Sequence, residues 1–231
     1  MSENIHRGHR DRLKKQILSA DITEALPHEK LLEMLLFYGI PQKDTAGVAH
    51  DLLETFGSLS GVLEADIDDI VKIKGMTRNA ACLIKLMRPM GRAYVLSKFK
   101  TPEVLKNHEE IGDYILTQYF SVNNENFSIL CLNRLGKVIA FETVMQGSID
   151  SVGVSPRMIV EKVIKHDATA VVIAHNHPGG IAIPSPQDIE ITKQIAEVLK
   201  SISVSLVDHI IIADNDYISL ATSSEFCNIF K

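Results

Sequence analysis

The sequence predicts a helical N-terminal half and a second half that mixes strands with helices, of the α/β or α+β class. Apolar residues recur at helical spacing over residues 26–94. Beyond a polar stretch at residues 98–102, short apolar runs alternate with amphipathic segments. The 231 residues are 45% hydrophobic and 23% charged, which is typical of globular proteins and excludes disordered or fibrous chains. We therefore expect two domains, residues 1–100 and 101–231, joined by the polar stretch.

The first half has three breaks at which one helix is expected to end and another to begin. Each break combines a glycine with a polar or proline neighbour. They lie at residues 39–41, 56–58 and 74–77. This pattern predicts a small helical bundle.

The second half is expected to contain three helices and four strands. Residues 109–119, 156–166 and 186–199 have helical character, the last of them amphipathic. Residues 127–132 and 137–144 predict a β-hairpin, and the apolar runs at 170–174 and 204–213 predict two more strands.

Charge and cysteine usage exclude several classes of protein. Residues 1–100 carry 15 basic and 13 acidic side chains, whereas residues 101–231 carry 9 and 16, which fits two units with different partners. The three cysteines, Cys82, Cys131 and Cys227, form no C-x-x-C pair, so a disulfide framework and a sulfur-rich zinc site are both disfavoured. Without a signal-peptide pattern or an apolar run of about 18 residues, we expect a cytoplasmic protein that is neither secreted nor membrane-spanning.

The motif with the clearest chemistry follows the predicted strand at 170–174. His175 and His177 are two residues apart, so on extended backbone their imidazoles point the same way and can share one metal ion. A Gly- and Pro-rich loop then leads to a helix start at which Asp188 supplies a third ligand. Two histidines and one carboxylate leave a fourth tetrahedral position for water, which is typical of catalytic zinc. The sequence therefore predicts a zinc-dependent hydrolase.

Parts of this motif have a structural role as well. Ser185, followed by Pro186 and then by Asp188, is a good helix N-terminus, with Ser185 as the N-cap and Asp188 at the positive end of the helix dipole. Two histidines around an asparagine can also be loop residues that bond to the backbone. The capping role and the metal role of Asp188 are compatible.

The same residues carry a family resemblance. Their spacing is similar to the JAMM signature of MPN-domain metalloproteases, which is His-x-His, then seven residues, then Ser, two residues and Asp. The fuller strings HNHPGG, PSPQD and LVDHIII resemble the RadC family, and the likeness covers residues 101–231. Gly179 stands where these proteins usually have serine. The resemblance implies an α+β protein whose second domain is MPN/JAMM-like (cytidine-deaminase-like), with a mixed β-sheet flanked by helices.

The resemblance also implies roles for individual residues. His175, His177 and Asp188 would bind zinc, and Ser185 would hydrogen-bond the tetrahedral intermediate. Glu125, just before the first strand of the hairpin, matches the JAMM glutamate that exchanges protons with water and the leaving amine; Glu142 on the next strand is the reserve candidate. His209 matches no JAMM ligand. It either orients a metal ligand or the substrate without contacting the metal, or it is a core histidine with a carboxylate partner.

A second motif lies in the first half. Residues 73–81 resemble a helix-hairpin-helix, whose hairpin amides contact a DNA phosphate. Thr77 replaces the second glycine of that motif and restricts close backbone approach. Lys74, Gly75, Thr77 and Arg78 are the DNA-binding candidates, while an ordinary helical turn accounts for the same residues.

Three functions follow from these motifs. The first is a zinc-dependent peptidase or isopeptidase acting on a protein or peptide substrate. The second is a DNA-associated repair or recombination factor that binds DNA through residues 1–100. The third is a non-catalytic MPN-like module that binds protein partners.

Overall fold

The chain is described from a computed structural model that covers residues 3–19, 26–41, 43–98, 104–147 and 153–231. It divides into two compact units, Met1–Ala93 and Tyr94–Lys231. Most of the polar stretch expected as the linker, residues 98–102, lies outside the described residues. No helix among the described ranges is both long enough and apolar enough to span a bilayer.

The first unit is built from helices. They are α1 (Glu3–Ser19), α2 (His28–Gly39), α3 (Ala46–Phe56), α4 (Leu59–Glu64), α5 (Ile67–Ile70) and α6 (Arg78–Lys98), the last of which runs past the unit boundary. Leu36, Leu52 and Ile84 are completely buried in a core shared by α2, α3 and α6. The predicted break at residues 56–58 is a helix stop at Gly57, whose left-handed φ of 77° favours glycine, followed by a Ser58 N-cap.

The second unit surrounds a mixed five-stranded sheet. Its helices are α7 (His108–Tyr119), α8 (Pro156–Lys165) and α9 (Pro186–Ser201), with a short 3₁₀ helix at Cys227–Phe230. Its strands are β1 (Asn126–Leu132), β2 (Val138–Gln146), β3 (Ala170–Asn176), β4 (Ser205–Ala213) and β5 (Asp216–Ser219).

The sheet order is β2-β1-β3-β4-β5, in which only β3 and β4 are parallel. Helix α9 connects these two strands, as a parallel pair requires. Alternate residues of the central strands face two cores: α8 and α9 cover one face of the sheet, and α7 covers the other. The α+β class with a mixed sheet flanked by helices is therefore confirmed.

Two features of the sheet differ from the sequence prediction. Strand β5 was not predicted, because four residues after a tight turn carry little periodic signal. Strand β3 extends to Asn176, since His175 and Asn176 pair with Ile211 and Ile212 of β4. The first predicted metal ligand, His175, thus lies on a strand paired on both sides.

Candidate metal centre

His175 and His177 lie at the carboxyl end of β3. The His175 side chain is fully buried and its ring stacks on Phe127, the residue opposite it on β1, with ring centroids 6.0 Å apart. His177 continues the ladder by donating its backbone N–H to Ile212 O (2.8 Å), and its side chain is 25% exposed. One imidazole is therefore immobilised in the core, and the other borders solvent.

Asp188 lies in the first turn of α9. The Ser185 hydroxyl accepts a hydrogen bond from Asp188 N (3.2 Å), and Ser185 N donates to Asp188 Oδ2 (2.7 Å), so the two residues form a reciprocal capping box. Pro186 takes the first helical position, where its missing N–H costs nothing. The structural role expected for Ser185 and Asp188 is thus present.

The same carboxylate meets both imidazoles. Asp188 Oδ1 lies 3.2 Å from His175 Nε2, Asp188 Oδ2 lies 3.7 Å from His177 Nε2, and the two Nε2 atoms are 2.8 Å apart. Among the described residues, these three side chains form a group with the spacing needed to hold one metal ion.

The hydrogen on His175 can be assigned from a chain of hydrogen bonds that starts at Thr192. The Thr192 hydroxyl donates its single hydrogen to Asp188 O (2.5 Å), so its oxygen accepts from His209 Nδ1 (2.6 Å). His209 is completely buried, and burial together with the nearby His175 lowers its pKa well below the ordinary value. Neutral His209 then accepts at Nε2 from His175 Nδ1 (2.9 Å), so the neutral form of His175, which is the form that binds metals, has no hydrogen on Nε2.

A separate contact orients His177. Its Nδ1 lies 3.2 Å from Ile181 O, an acceptor only, so Nδ1 carries a hydrogen, and in the neutral ring Nε2 presents a lone pair. Burial raises the pKa of Asp188, but its contacts with His175 and Ser185 outweigh burial and keep that pKa below its ordinary value, so the carboxylate is ionised. When both imidazoles are neutral, three electron-rich ligands converge with no hydrogen between them, an arrangement that a divalent cation would stabilise.

Glu125 lies just before β1 and is held there by Asn176. Asn176 Nδ2 donates to Asn124 O (3.0 Å), and Asn176 Oδ1 accepts from Asn126 N (2.8 Å), so the residues on both sides of Glu125 are tied to the end of β3. Glu125 itself is half-buried. Sequence reasoning overlooked Asn176, although strand alternation points the residue between His175 and His177 away from the side on which their imidazoles meet.

Thr192 and His209 complete the set that sequence reasoning missed or left open. Thr192 is four residues after Asp188, so the two share one face of α9, and this spacing was the available signal. The imidazole of His209 bonds His175 and Thr192, whereas only its backbone N–H donates to a carboxylate, that of Asp208.

Glu142, the reserve candidate for the acid/base, is tied to α8. Its carboxylate contacts Lys162 Nζ (2.5 Å), Lys165 Nζ (2.6 Å) and His166 Nε2 (2.9 Å), none of which belongs to the metal group. The two lysine hydrogen bonds, aided by His166, lower the Glu142 pKa from 4.5 to about 2.

Glu142 should make the stability of the protein depend on pH. Because its folded pKa is below the unfolded value, its contribution is fully present above pH 4.5 and is lost as the pH falls towards 2. Glu142→Gln should therefore lower the urea midpoint at neutral pH and much less at acid pH. Glu161→Gln, which removes an exposed ion pair with Arg157 on the same helix, is the control. An equal effect of Glu142→Gln at both pH values would contradict the assignment.

The DNA-binding candidates lie in the first unit. Gly75 has a φ of 93° in the turn before α6, and Thr77 caps that helix by accepting from Ala80 N (3.1 Å). Lys74 and Arg78 are exposed, and no ion pair holds either of them within the described residues. DNA contact by these residues stays a prediction.

Comparison with known proteins identifies the second unit. Residues 105–225, just over half of the chain, match the family model of the RadC-like JAB domain. A UPF0758 protein of Fusobacterium nucleatum is 34% identical over 226 residues, covering 95% of this chain and 97% of the relative. A UPF0758 protein of Cellvibrio japonicus is 32% identical over 211 residues, covering 91% of this chain and 94% of the relative. The JAB domain includes the candidate metal centre of two histidines and an aspartate. The chain therefore belongs to the RadC family.

Proposed function

We propose that the chain is a zinc-dependent metallohydrolase of the JAMM type that cleaves peptide or isopeptide amide bonds. The observation that carries this proposal is the convergence of His175 Nε2, His177 Nε2 and an Asp188 carboxylate oxygen at the spacing needed to hold one metal ion. Two imidazoles and a carboxylate form the donor set of many catalytic zinc sites, which keep a fourth position open. Zinc bound here would supply Lewis acidity towards water and a substrate carbonyl.

Glu125 is the proposed general acid and base. The attack of water on an amide carbon requires that one proton leave the water and that one reach the leaving nitrogen as the C–N bond breaks. Glu125 is anchored beside the end of β3 by the Asn176 amide, and it lies two residues before Phe127, which stacks on His175. A carboxylate in this position can take the first proton and return it to the amine.

Ser185 is the proposed donor to the developing oxyanion. Its oxygen accepts from Asp188 N, and its hydroxyl also bonds the Asp188 carboxylate, whose pKa this contact helps to lower. On substrate binding the hydroxyl hydrogen can rotate from that carboxylate to a substrate oxygen while the capping bond from Asp188 N stays intact. Such a donor is valuable because the charge that it stabilises develops only in the transition state.

The proposal is tested first by metal content. Purified full-length chain should contain about one zinc per chain by mass spectrometry, and His177→Ala should lose it, because one of three protein ligands is gone. His166→Ala is the matched control, since His166 contacts Glu142 instead of the metal group.

The activity arm screens peptide and isopeptide amides with the same proteins. Zinc-dependent hydrolysis by wild type and by His166→Ala, but not by His177→Ala, is the expected result. Zinc content that is unchanged in His177→Ala would refute the ligand assignment. Zinc-loaded wild type that cleaves no amide would favour a non-catalytic protein-binding module, or a DNA-associated factor acting through residues 1–100.

Thr192→Val should weaken zinc binding without removing a ligand. Valine has nearly the same shape but cannot accept from His209 Nδ1, so the hydrogen that keeps His175 Nε2 bare is no longer held in place. Loss of such a supporting hydrogen bond typically costs about 10- to 100-fold in metal affinity. Competition with a chromophoric chelator measures this loss, and Thr192→Ser should restore affinity. Wild-type affinity in Thr192→Val would show that His175 needs no support from this chain of bonds.

A further inference from the structure

A groove of about 760 Å³ lies at the opposite end of the sheet from the metal group. It is bordered by the start of α7, the β1–β2 turn and the first residues of β3 and β4. Ala170 of β3 lines it, whereas His175 is five residues further along the same strand, or about 17 Å at the usual rise of a strand. The groove is therefore separate from the metal centre.

The rim of the groove is basic. Lys106 and Arg134 line it, both are exposed, and neither side chain has a hydrogen-bond or ion-pair partner within the described ranges. None of the described residues that line the groove is acidic. This contrasts with residues 101–231 as a whole, where 16 acidic side chains outnumber 9 basic ones.

One wall of the groove carries a histidine that is held by a buried carboxylate. Asp208, completely buried, accepts hydrogen bonds from Ser219 Oγ (2.6 Å), His209 N (2.7 Å) and Ala221 N (3.0 Å), and it also contacts His108 Nδ1 (2.7 Å). Because a carboxylate only accepts, His108 Nδ1 carries the hydrogen. Its other nitrogen, Nε2, has no partner among the described residues, and the side chain is 39% exposed.

We propose that this groove binds a phosphomonoester, with the phosphate held by Lys106, Arg134 and His108. A guanidinium pairs with phosphate through two parallel hydrogen bonds, and an ammonium adds a point charge. A phosphomonoester carries a charge of about −1.5 to −2 at pH 7, more than a carboxylate, so it is attracted more strongly to Lys106 and Arg134, and it can accept from a protonated His108 Nε2.

The organic part of the ligand packs on the apolar floor. Leu105, Ile111 and Leu132 line the groove and are almost completely buried. The volume falls within the range of about 300 to 1,000 Å³ that is usual for small-molecule sites, which exceeds the space that phosphate alone would fill. The ligand is therefore a phosphate ester with a compact apolar or planar group.

Calorimetric titration of the full chain with phenyl phosphate, inorganic phosphate and benzoate at constant ionic strength tests the proposal. Phenyl phosphate should bind saturably and more tightly than the other two probes. The double variant Lys106→Gln/Arg134→Gln should bind it at least about tenfold more weakly, as expected for the loss of roughly 1.4 kcal/mol or more. Arg157→Gln, which removes an exposed arginine outside the groove, should bind as wild type does. Wild-type affinity in the double variant, or benzoate binding as tightly as phenyl phosphate, would overturn the proposal.

Two further variants test the part of His108 and the location of the bound phosphate. His108→Asn keeps a side-chain donor for Asp208 but removes Nε2, so it should weaken phenyl phosphate binding several-fold at an unchanged thermal midpoint. Unchanged affinity of His108→Asn for phenyl phosphate would show that His108 only links α7 to β4 through Asp208 and does not contact the phosphate. His177→Ala should bind phenyl phosphate normally; loss of binding there would place the phosphate at the metal group and overturn the proposal.

Discussion

Glu125→Gln is expected to retain zinc and to lose amide hydrolysis by a factor of about 10² to 10⁴, the usual contribution of a positioned general acid and base. Glutamine has the same size, and the Asn176 clamp acts on the backbone of neighbouring residues, so the segment before β1 should keep its position. The measurement is the rate constant for the best amide from the screen, with zinc content determined on the same sample.

Glu142→Gln is the matched control for this result. Its carboxylate is engaged by Lys162, Lys165 and His166, so the substitution should lower stability and leave the rate per folded molecule unchanged. Full activity in Glu125→Gln together with lost activity in Glu142→Gln would transfer the acid/base role to Glu142. Loss of zinc from Glu125→Gln would instead identify Glu125 as a ligand.

Asp188→Asn should abolish stabilisation by zinc while leaving the metal-free protein folded. The asparagine oxygen can still accept from Ser185 N, which preserves the helix cap, and its nitrogen can donate to the bare lone pair on His175 Nε2. Wild type should gain about 4 kcal/mol when zinc is present at roughly a thousand times its dissociation constant, and the variant should gain almost nothing.

Thermal unfolding with and without zinc measures this difference. Glu190→Gln is the control, because Glu190 is exposed on the same helix and contacts only Gln194 among the described residues. If Asp188→Asn gained as much stability from zinc as wild type does, Asp188 would be a helix cap and not a ligand.

Local patterns allowed much of the candidate site to be predicted. The pair His175 and His177 depends only on the two-residue period of extended backbone. Ser185 and Asp188 depend on the spacing of a helix N-terminus, and the loop before them had to turn because of its Gly and Pro content. Each inference concerns residues close in sequence, where backbone geometry alone limits what side chains can meet.

The parts that could not be predicted involve residues far apart in sequence. Asn176 meets residues 124–126 because β1 lies beside β3, and His209 meets His175 because β4 lies on the other side of it. Strand order was needed before either contact could be named, and periodicity does not supply strand order. The pairing of His108 with Asp208, one hundred residues apart, was missed for the same reason.

The capping box at Ser185 and Asp188 has a consequence for how metal is acquired. Because the cap bonds form between the two residues themselves, the carboxylate is preorganised before any ion arrives. The conformational entropy of ordering this side chain is therefore lost during folding and not during metal binding. The affinity for the ion is higher as a result, because binding no longer includes that cost. Unlike a zinc finger, whose chain folds only around its metal, this domain should exchange its ion without unfolding, so chelation and reloading should be reversible on the native fold.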